Sequence, residues 1–290
     1  MIKYKIFSNA KINIGLNVFQ KESDGYHNID SIMVPIDLSD EIDVIFYSED
    51  GELKIECSDS GIPTDERNIL SKTYKIFFES LKKENEKIDI SLKKNIPSEA
   101  GLGGGSSNAA FFLKLLNEHY GNIYNESELE ELAMKIGSDV PFFIKNKTAR
   151  VGEKGNKVEL VENNLKDSII LIKPLDFGIS TKEAYDSFDN LKEVKYADFD
   201  KIIDSLKKDN RIALENNIEN NLEQGILETN IEVKMFKMAL NSVVSGKKFF
   251  MSGSGSTYYT FVTELEKSQI ETRLKTFVDN VKIIICKTIN

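Results

Sequence analysis

The chain is short of the residues on which several common chemistries depend. Two cysteines occur in 290 residues, Cys57 and Cys286, and they form no short-spaced pair. A disulfide framework or a cysteine-rich zinc site is therefore not expected. Only His27 and His119 are available as histidines, too few for a three-histidine metal site and a poor basis for Ser-His-Asp hydrolysis. No apolar run approaches the roughly 20 residues of a membrane-spanning helix. The opening "MIKYKIFSNAKINIGL" lacks a basic n-region, an apolar h-region and a small-residue cleavage site. It reads as the first strand of a cytoplasmic protein rather than as a signal peptide. Positive charge is the minority sign, with 38 basic against 47 acidic residues and a net charge of −9. That balance disfavours a broad nucleic-acid footprint. A small anion can still be held by backbone N–H groups and one or two local cations.

What is present is a globular composition, 40% hydrophobic, long enough for two domains. From Lys11 the chain alternates, with Ile12, Ile14, Leu16 and Val18 on one face and Lys11, Asn13 and Asn17 on the other. "SDGY" (23–26) and "EDGE" (49–52) are Asp-Gly turns, so the first 58 residues are expected to be mostly antiparallel sheet. Helical spacing recurs over 68–83, followed by a strand over 87–94. A helix is expected from about Ser106 to Tyr120, another over 127–137 closed by Gly137, and a short element over 138–144 with Pro141 early in it. Residues 168–174 read as a buried strand, and "STKE" (180–183) as a capping box built on Ser180 and Glu183. Helical stretches run to about Ser242. Strand, glycine loop and strand follow, then a helix near 264–277 and a final strand over 281–286. The expected organisation is two α+β domains, 1–157 and 158–290, with no flexible linker and a shared cleft.

Two glycine clusters stand out. In "EAGLGGGSSNAA" (99–110), Gly101, Gly103, Gly104 and Gly105 can turn backbone N–H groups toward one point, just before a helix start. Such a loop suits phosphate. It is neither a Walker A loop nor the dinucleotide fingerprint, because no Gly-Lys-Ser/Thr follows and Ser106 stands where a third glycine would be. A flexible turn is the plain alternative, although one glycine would serve for that. The second cluster, "MSGSGST" (251–257), does not fit a nucleophile elbow and alone could be a glycine hairpin. Taken singly, Lys11 reads as a solvated lysine, Asp139 as a helix-start aspartate, and Tyr26 and His27 as ordinary surface or half-buried residues.

In this order, "AKINIGLNV", "DGYHNIDSIM", "IPSEAGLGGGSSNAA", "GSDVPFFI", "STKEAY", "NNLE" (220–223) and "MSGSGST" resemble the GHMP kinase superfamily. The similarity covers about residues 9 to 262. "DGYH" after "AKIN" is similar to the branch that phosphorylates a cytidine-diphosphate-linked polyol. The resemblance implies an α+β fold of two domains: an N-terminal ATP-binding α/β domain and a C-terminal ferredoxin-like domain, with the active site in the cleft between them. It also implies a left-handed βαβ crossover, and transfer of the ATP γ-phosphoryl directly to the 2-hydroxyl of the polyol.

Carried onto this chain, the resemblance assigns ATP binding to Pro97, Ser98, Glu99, Ala100, Gly101, Leu102, Gly103, Gly104, Gly105, Ser106 and Ser107. Lys11 would neutralise charge on the transferring group, and Asp139 would accept the hydroxyl proton. Asn13 would orient the acceptor. Tyr26 and Tyr185 would stack on cytosine, His27 would bond its polar edge, and Thr181 would complete the substrate contacts. Mg²⁺ would arrive with ATP, with no dedicated metal site. Expected partners are these two small molecules only, with no nucleic acid and no membrane, in a monomer or weak homodimer. Three positions depart from the superfamily pattern: Asn108 and Asn221 where aspartate is usual, and Ser256 where proline is usual, which would loosen the second loop. A homoserine or mevalonate kinase of the same superfamily is the alternative activity. A non-catalytic ligand sensor on this fold is another, and would be expected to lack Lys11 or Asp139.

Overall fold

The computed structural model describes residues 1–289. In chain order the elements are β1 (Ile2–Lys21), β2 (His27–Asp50), β3 (Leu53–Cys57), α1 (Ile69–Leu81), β4 (Glu86–Lys93), α2 (Gly104–His119), α3 (Glu126–Ile136), α4 (Val140–Lys145), β5 (Ala149–Glu153), β6 (Lys157–Leu160), β7 (Ser168–Pro174), α5 (Thr181–Asp189), α6 (Phe199–Lys207), α7 (Arg211–Glu215), α8 (Asn221–Thr229), α9 (Ile231–Val243), β8 (Phe250–Met251), β9 (Tyr258–Val262), α10 (Glu264–Phe277) and β10 (Val281–Cys286). The chain forms two compact units. The first gathers Met1–Ala10, Leu38–Ile96 and Gly103–Asn146. The second gathers Lys11–Asp37, Pro97–Leu102 and the chain from Lys147 onward. The long strands β1 and β2 each contribute to both.

In the first unit β3 runs parallel to β4, with α1 connecting them. β3 is thus the exception to the expected mostly antiparallel opening, because a helix lies between the two strands and carries the chain back to the same edge, whereas β2 pairs antiparallel with both β4 and β5. β4 then pairs antiparallel with the Glu41–Asp50 part of β2. Asn68 caps α1 by accepting from the Leu70 amide, and Leu70, Tyr74, Phe77 and Phe78 form its buried stripe. Phe112 of α2 and Phe142 and Phe143 of α4 are buried as well, on helices packed in series, α1 on α2 and α2 on α4. Gly137 closes α3 as expected, in extended backbone at φ −178, and its amide bonds to the Ala133 carbonyl.

In the second unit a four-stranded antiparallel sheet has the order β10-β7-β9-β8. Every residue of β7 is buried, which is why "SIILIKP" shows a continuous apolar run instead of alternation. Ile170, Ile172, Tyr258 and Val262 from this sheet share one core with Ile226 of α8, Leu240 of α9, and Ile270 and Leu274 of α10. Ser180 caps α5 by accepting from the Glu183 amide at 3.1 Å. The reciprocal half of the expected capping box is missing, because the Glu183 carboxylate accepts from Asn230 instead, at 3.1 Å.

Candidate active site

The polar face of β1 is as buried as the apolar face. Lys11 is 4% exposed and Asn13 is 3% exposed. Burial obliges each polar atom to find a partner. The Lys11 Nζ donates to Asn13 Oδ1 at 2.6 Å. Asn13 Nδ2 donates to Ser31 Oγ at 2.8 Å, and Ser31 Oγ donates on to the Gly15 carbonyl at 2.7 Å. The Asn13 backbone is held as well, its amide by Ser252 Oγ at 3.3 Å and its carbonyl by Tyr259 Oη at 2.9 Å. Asn13 is thus oriented by Lys11 and Ser31 at its side chain and by Ser252 and Tyr259 at its backbone.

The start of the first glycine cluster meets the second within the same unit. Gly101, at φ +69, has the Ser252 carbonyl where a side chain would begin, only 1.9 Å from the ideal Cβ position. Ser252 Oγ donates to the Gly101 carbonyl at 2.9 Å, and the Lys11 amide donates to the Leu102 carbonyl at 3.0 Å. A Cβ on Gly253 would lie 3.1 Å from Asn13 Oδ1, 3.2 Å from the Gly101 carbonyl and 3.3 Å from Lys11 Nζ. Asn220, the N-cap of α8, holds the loop from behind. Its Nδ2 donates to the carbonyls of Met251 and Gly253, each at 2.9 Å. Backbone therefore occupies the space cleared at Gly101.

The rest of the first cluster opens α2 in the other unit. Gly103 is the N-cap, left-handed at φ 69, and offers no side-chain cap. The helix starts at Gly104, two residues before the expected Ser106, because Gly104 and Gly105 adopt helical backbone. The first-turn amides left without helical acceptors are those of Gly104, Gly105 and Ser106. The Ser107 amide already bonds to the Gly103 carbonyl at 2.9 Å. The Ser107 hydroxyl is buried and has no hydrogen-bond partner among the described residues.

Helix α4 packs against α2 and starts at Asp139, whose side chain does not cap its own helix. Lys114 of α2 donates to the carbonyls of Phe143 and Ile144 at the far end of α4, and burial pushes its amine down to about 8. Eight of the ten described helices have a side-chain N-cap bond. The two that lack one, α2 and α4, are those that begin at the candidate phosphate loop and the candidate base.

The expected acceptor residues lie in the second unit. Tyr26 follows the Asp24-Gly25 turn and is 67% exposed. The His27 ring packs on Tyr185, with centroids 5.1 Å apart, and on Phe188 at 5.8 Å. His27 Nδ1 donates to the Phe19 carbonyl at 2.7 Å, and Nε2 faces Asp189 Oδ1 at 3.4 Å. Thr181 Oγ1 lies 3.3 Å from Ser254 Oγ of the second glycine loop. The sequence reading missed Ser31, Ser252, Tyr259 and Asn220. Three of them lie inside the quoted motifs "DGYHNIDSIM", "MSGSGST" and "NNLE", so the signal was there without a role attached. Nothing in the sequence marks Tyr259.

Residues 68–147 match the family described as GHMP kinases N terminal domain. A 4-diphosphocytidyl-2-C-methyl-D-erythritol kinase of Fusobacterium nucleatum is 87% identical over 288 residues, 99% of this chain and 98% of that protein. The chain belongs to the 4-diphosphocytidyl-2-C-methyl-D-erythritol kinase family. A relative of the same name from Clostridium beijerinckii is 37% identical over 92% of the chain and 93% of its own length. A crystal structure of 4-(cytidine 5'-diphospho)-2C-methyl-D-erythritol kinase shares the fold with a TM-score of 0.78 at 23% identity, covering 98% of this chain and 99% of that one. The phosphomevalonate kinase of Streptococcus pneumoniae also shares it, with a TM-score of 0.73 at 9% identity over the full length of both chains. These likenesses bear out the expected α+β GHMP kinase fold.

Two departures of this kinase from the superfamily pattern have local explanations. Asn108 Nδ2 donates to Asp40 Oδ2 at 3.0 Å and to Ser8 Oγ at 2.7 Å, in a buried cluster where Lys94 pairs with Asp40. An aspartate at 108 would set a second carboxylate against Asp40. Asn221 accepts from the Val18 amide and donates to the Lys195 carbonyl, each at 2.9 Å. The donation is one that an ionised aspartate cannot make. Among the described residues no helix is long and apolar enough to cross a membrane.

Proposed function

We propose that this kinase transfers the γ-phosphoryl of ATP to the 2-hydroxyl of 4-diphosphocytidyl-2-C-methyl-D-erythritol, in the cytoplasm, as a step of isoprenoid precursor synthesis. The observation that carries the mechanism is Lys11, a lysine 4% exposed and locked through Asn13 and Ser31 rather than left in solvent. Phosphoryl transfer needs placed charge and geometry more than covalent help. The amides of Gly104, Gly105 and Ser106 and the Ser107 hydroxyl bind phosphate oxygens. Lys11 neutralises charge on the transferring group, and Asp139 takes the hydroxyl proton. Mg²⁺ comes with ATP. Phosphate oxygens and water would supply its ligands.

The exposed ring of Tyr26 and the ring of Tyr185 stack on cytosine. His27 bonds the polar edge of the base. The protein works as a monomer or weak homodimer, measurable by sedimentation. The deciding assay is phosphorylation of the cytidine acceptor and of its uridine analogue. Uridine reverses donor and acceptor at one edge and leaves buried polar groups unpaired, so wild type should reject it. Asp139→Asn should lower kcat by about 100-fold or more with ATP affinity little changed. Equal use of both bases would overturn the cytosine pocket, and near-normal turnover of Asp139→Asn would remove it from the role of base.

A further inference from the structure

Lys173 is a buried cation that the mechanism above does not use. It stands near the end of β7, opposite Lys282 of β10, and is only 8% exposed. An ammonium withdrawn from water costs free energy unless it is hydrogen-bonded and balanced by charge. Its Nζ donates to Ser256 Oγ at 2.5 Å, and Ser256 is fully buried in the second glycine loop. The charge of Glu99, from the first glycine cluster, acts on Lys173 against the effect of burial, which lowers its pKa. Glu99 is left-handed at φ 49, and its Oε2 lies 3.3 Å from where a Gly178 Cβ would be, in the segment between β7 and α5.

We propose that Lys173 is a positioning residue, tethering the second glycine loop through Ser256 so that the loop holds Lys11 and Asn13 in their working places. The loop's other side-chain contacts are neutral: Asn220 on the Met251 and Gly253 carbonyls, Ser252 on the Gly101 carbonyl and the Asn13 amide, and Thr181 at Ser254. Lys173 is the charged one, and it grips the end of the loop opposite Met251. Gly253 leaves room for Lys11 Nζ and Asn13 Oδ1 to within a few tenths of an ångström, so displacement of the loop passes directly to the lysine that neutralises the transferring group. The serine expected to loosen the loop is, on this reading, the atom by which it is held. A proline at 256 would offer no hydroxyl to the ammonium.

The inference rests on the kinase reading, and the test separates the two: turnover by wild type decides the reading, and the ratio of variant to wild type decides the inference. Lys173→Met should lower kcat by roughly tenfold or more while KM for ATP and for the acceptor changes by less than about threefold, as expected when geometry in the transition state is lost and binding is kept. Ser256→Ala should act in the same direction. The double variant should be no slower than Lys173→Met alone, because both remove one contact. Either single variant, cooperatively folded and within about twofold of wild-type kcat, would overturn the proposal, as would additive losses in the double variant. If Lys173→Met does not melt cooperatively, Ser256→Ala, which removes one oxygen, decides by the same criterion.

Discussion

Lys11 shows how one residue changes meaning with its surroundings. On an alternating strand it reads as solvated, since the opposite face carries the apolar residues. The structure buries both faces, and the polar one survives burial because Lys11, Asn13, Ser31 and the Gly15 carbonyl form an unbroken donor-to-acceptor chain. That chain has a direction. Ser31 has given its one proton to Gly15, so it can only accept from Asn13, and Asn13 must present its amide nitrogen there and its oxygen to Lys11. Asn13→Asp breaks the direction. It loses one neutral hydrogen bond, worth about 1 kcal/mol, and converts the bond already accepted from the Lys11 ammonium into an ion pair, whose attraction offsets that loss. The melting temperature should therefore hold or rise. The kcat should fall roughly tenfold or more, because a fixed carboxylate now takes the charge that the proposed mechanism gives to the phosphoryl group. Measuring both on one sample tests this, and an unchanged kcat refutes it. Lys11 and Asn13 were legible as candidates from their motif. Ser31 was not, because its role depends on a strand 18 residues away.

At the scale of elements, the strongly periodic segments were legible: α1, α10, β7 and β10 lie within a few residues of where spacing put them. The parallel pairing of β3 with β4 was not, since strand direction is fixed by long-range partners rather than local pattern. The glycines of the first cluster serve different neighbours. Gly101 makes room for the Ser252 carbonyl, and Gly105 has nothing nearer than Ile69 at 3.9 Å. Two alanine substitutions separate these uses. Gly101→Ala sets a Cβ 1.9 Å from a carbonyl oxygen at φ +69, and no rotamer change can relieve it. It should cost about 3 kcal/mol or more of stability. Gly105→Ala falls in the first turn of α2 and should stabilise by about 0.5–1 kcal/mol. It should weaken ATP binding, because the proposed phosphate site lies on the exposed side of that turn. Denaturant titration and nucleotide binding on both variants give four numbers. The same sign of stability change in both would refute the distinction.

For the whole molecule, composition correctly pointed to a globular chain and the family motifs to a kinase, while the interleaving of the two units left no compositional mark, because β1 and β2 serve both without changing character. The charge balance does permit a prediction about acid. Four carboxylates are held at about 2: Glu41 by Lys93 and Lys5, Asp65 by Arg67, Glu264 by Lys267, Ser168 and Lys287, and Glu266, where burial alone would raise the pKa but the Thr263 amide, Lys247 and Arg211 outweigh it. A carboxyl group lowered in the folded state binds its proton more readily when unfolded. Its stabilisation is present above the ordinary value near 4.5 and is lost as pH falls from there toward 2. Asp167 and Glu215 work the other way, since burial raises both and acid relieves them. The lowered groups outnumber them, so the melting temperature should hold from neutral pH to about 4.5 and drop below it. Glu266 is the partly buried member of the four, and it ties Arg211 at 2.9 Å and Lys247 at 3.0 Å to the N-cap of α10. Discounted for solvent screening, its share is on the order of 1 kcal/mol. Glu266→Gln should therefore lower the melting temperature near neutral pH and flatten the decline below 4.5. A melting series over that range for wild type and variant tests it, and parallel curves would show that the acid sensitivity arises elsewhere.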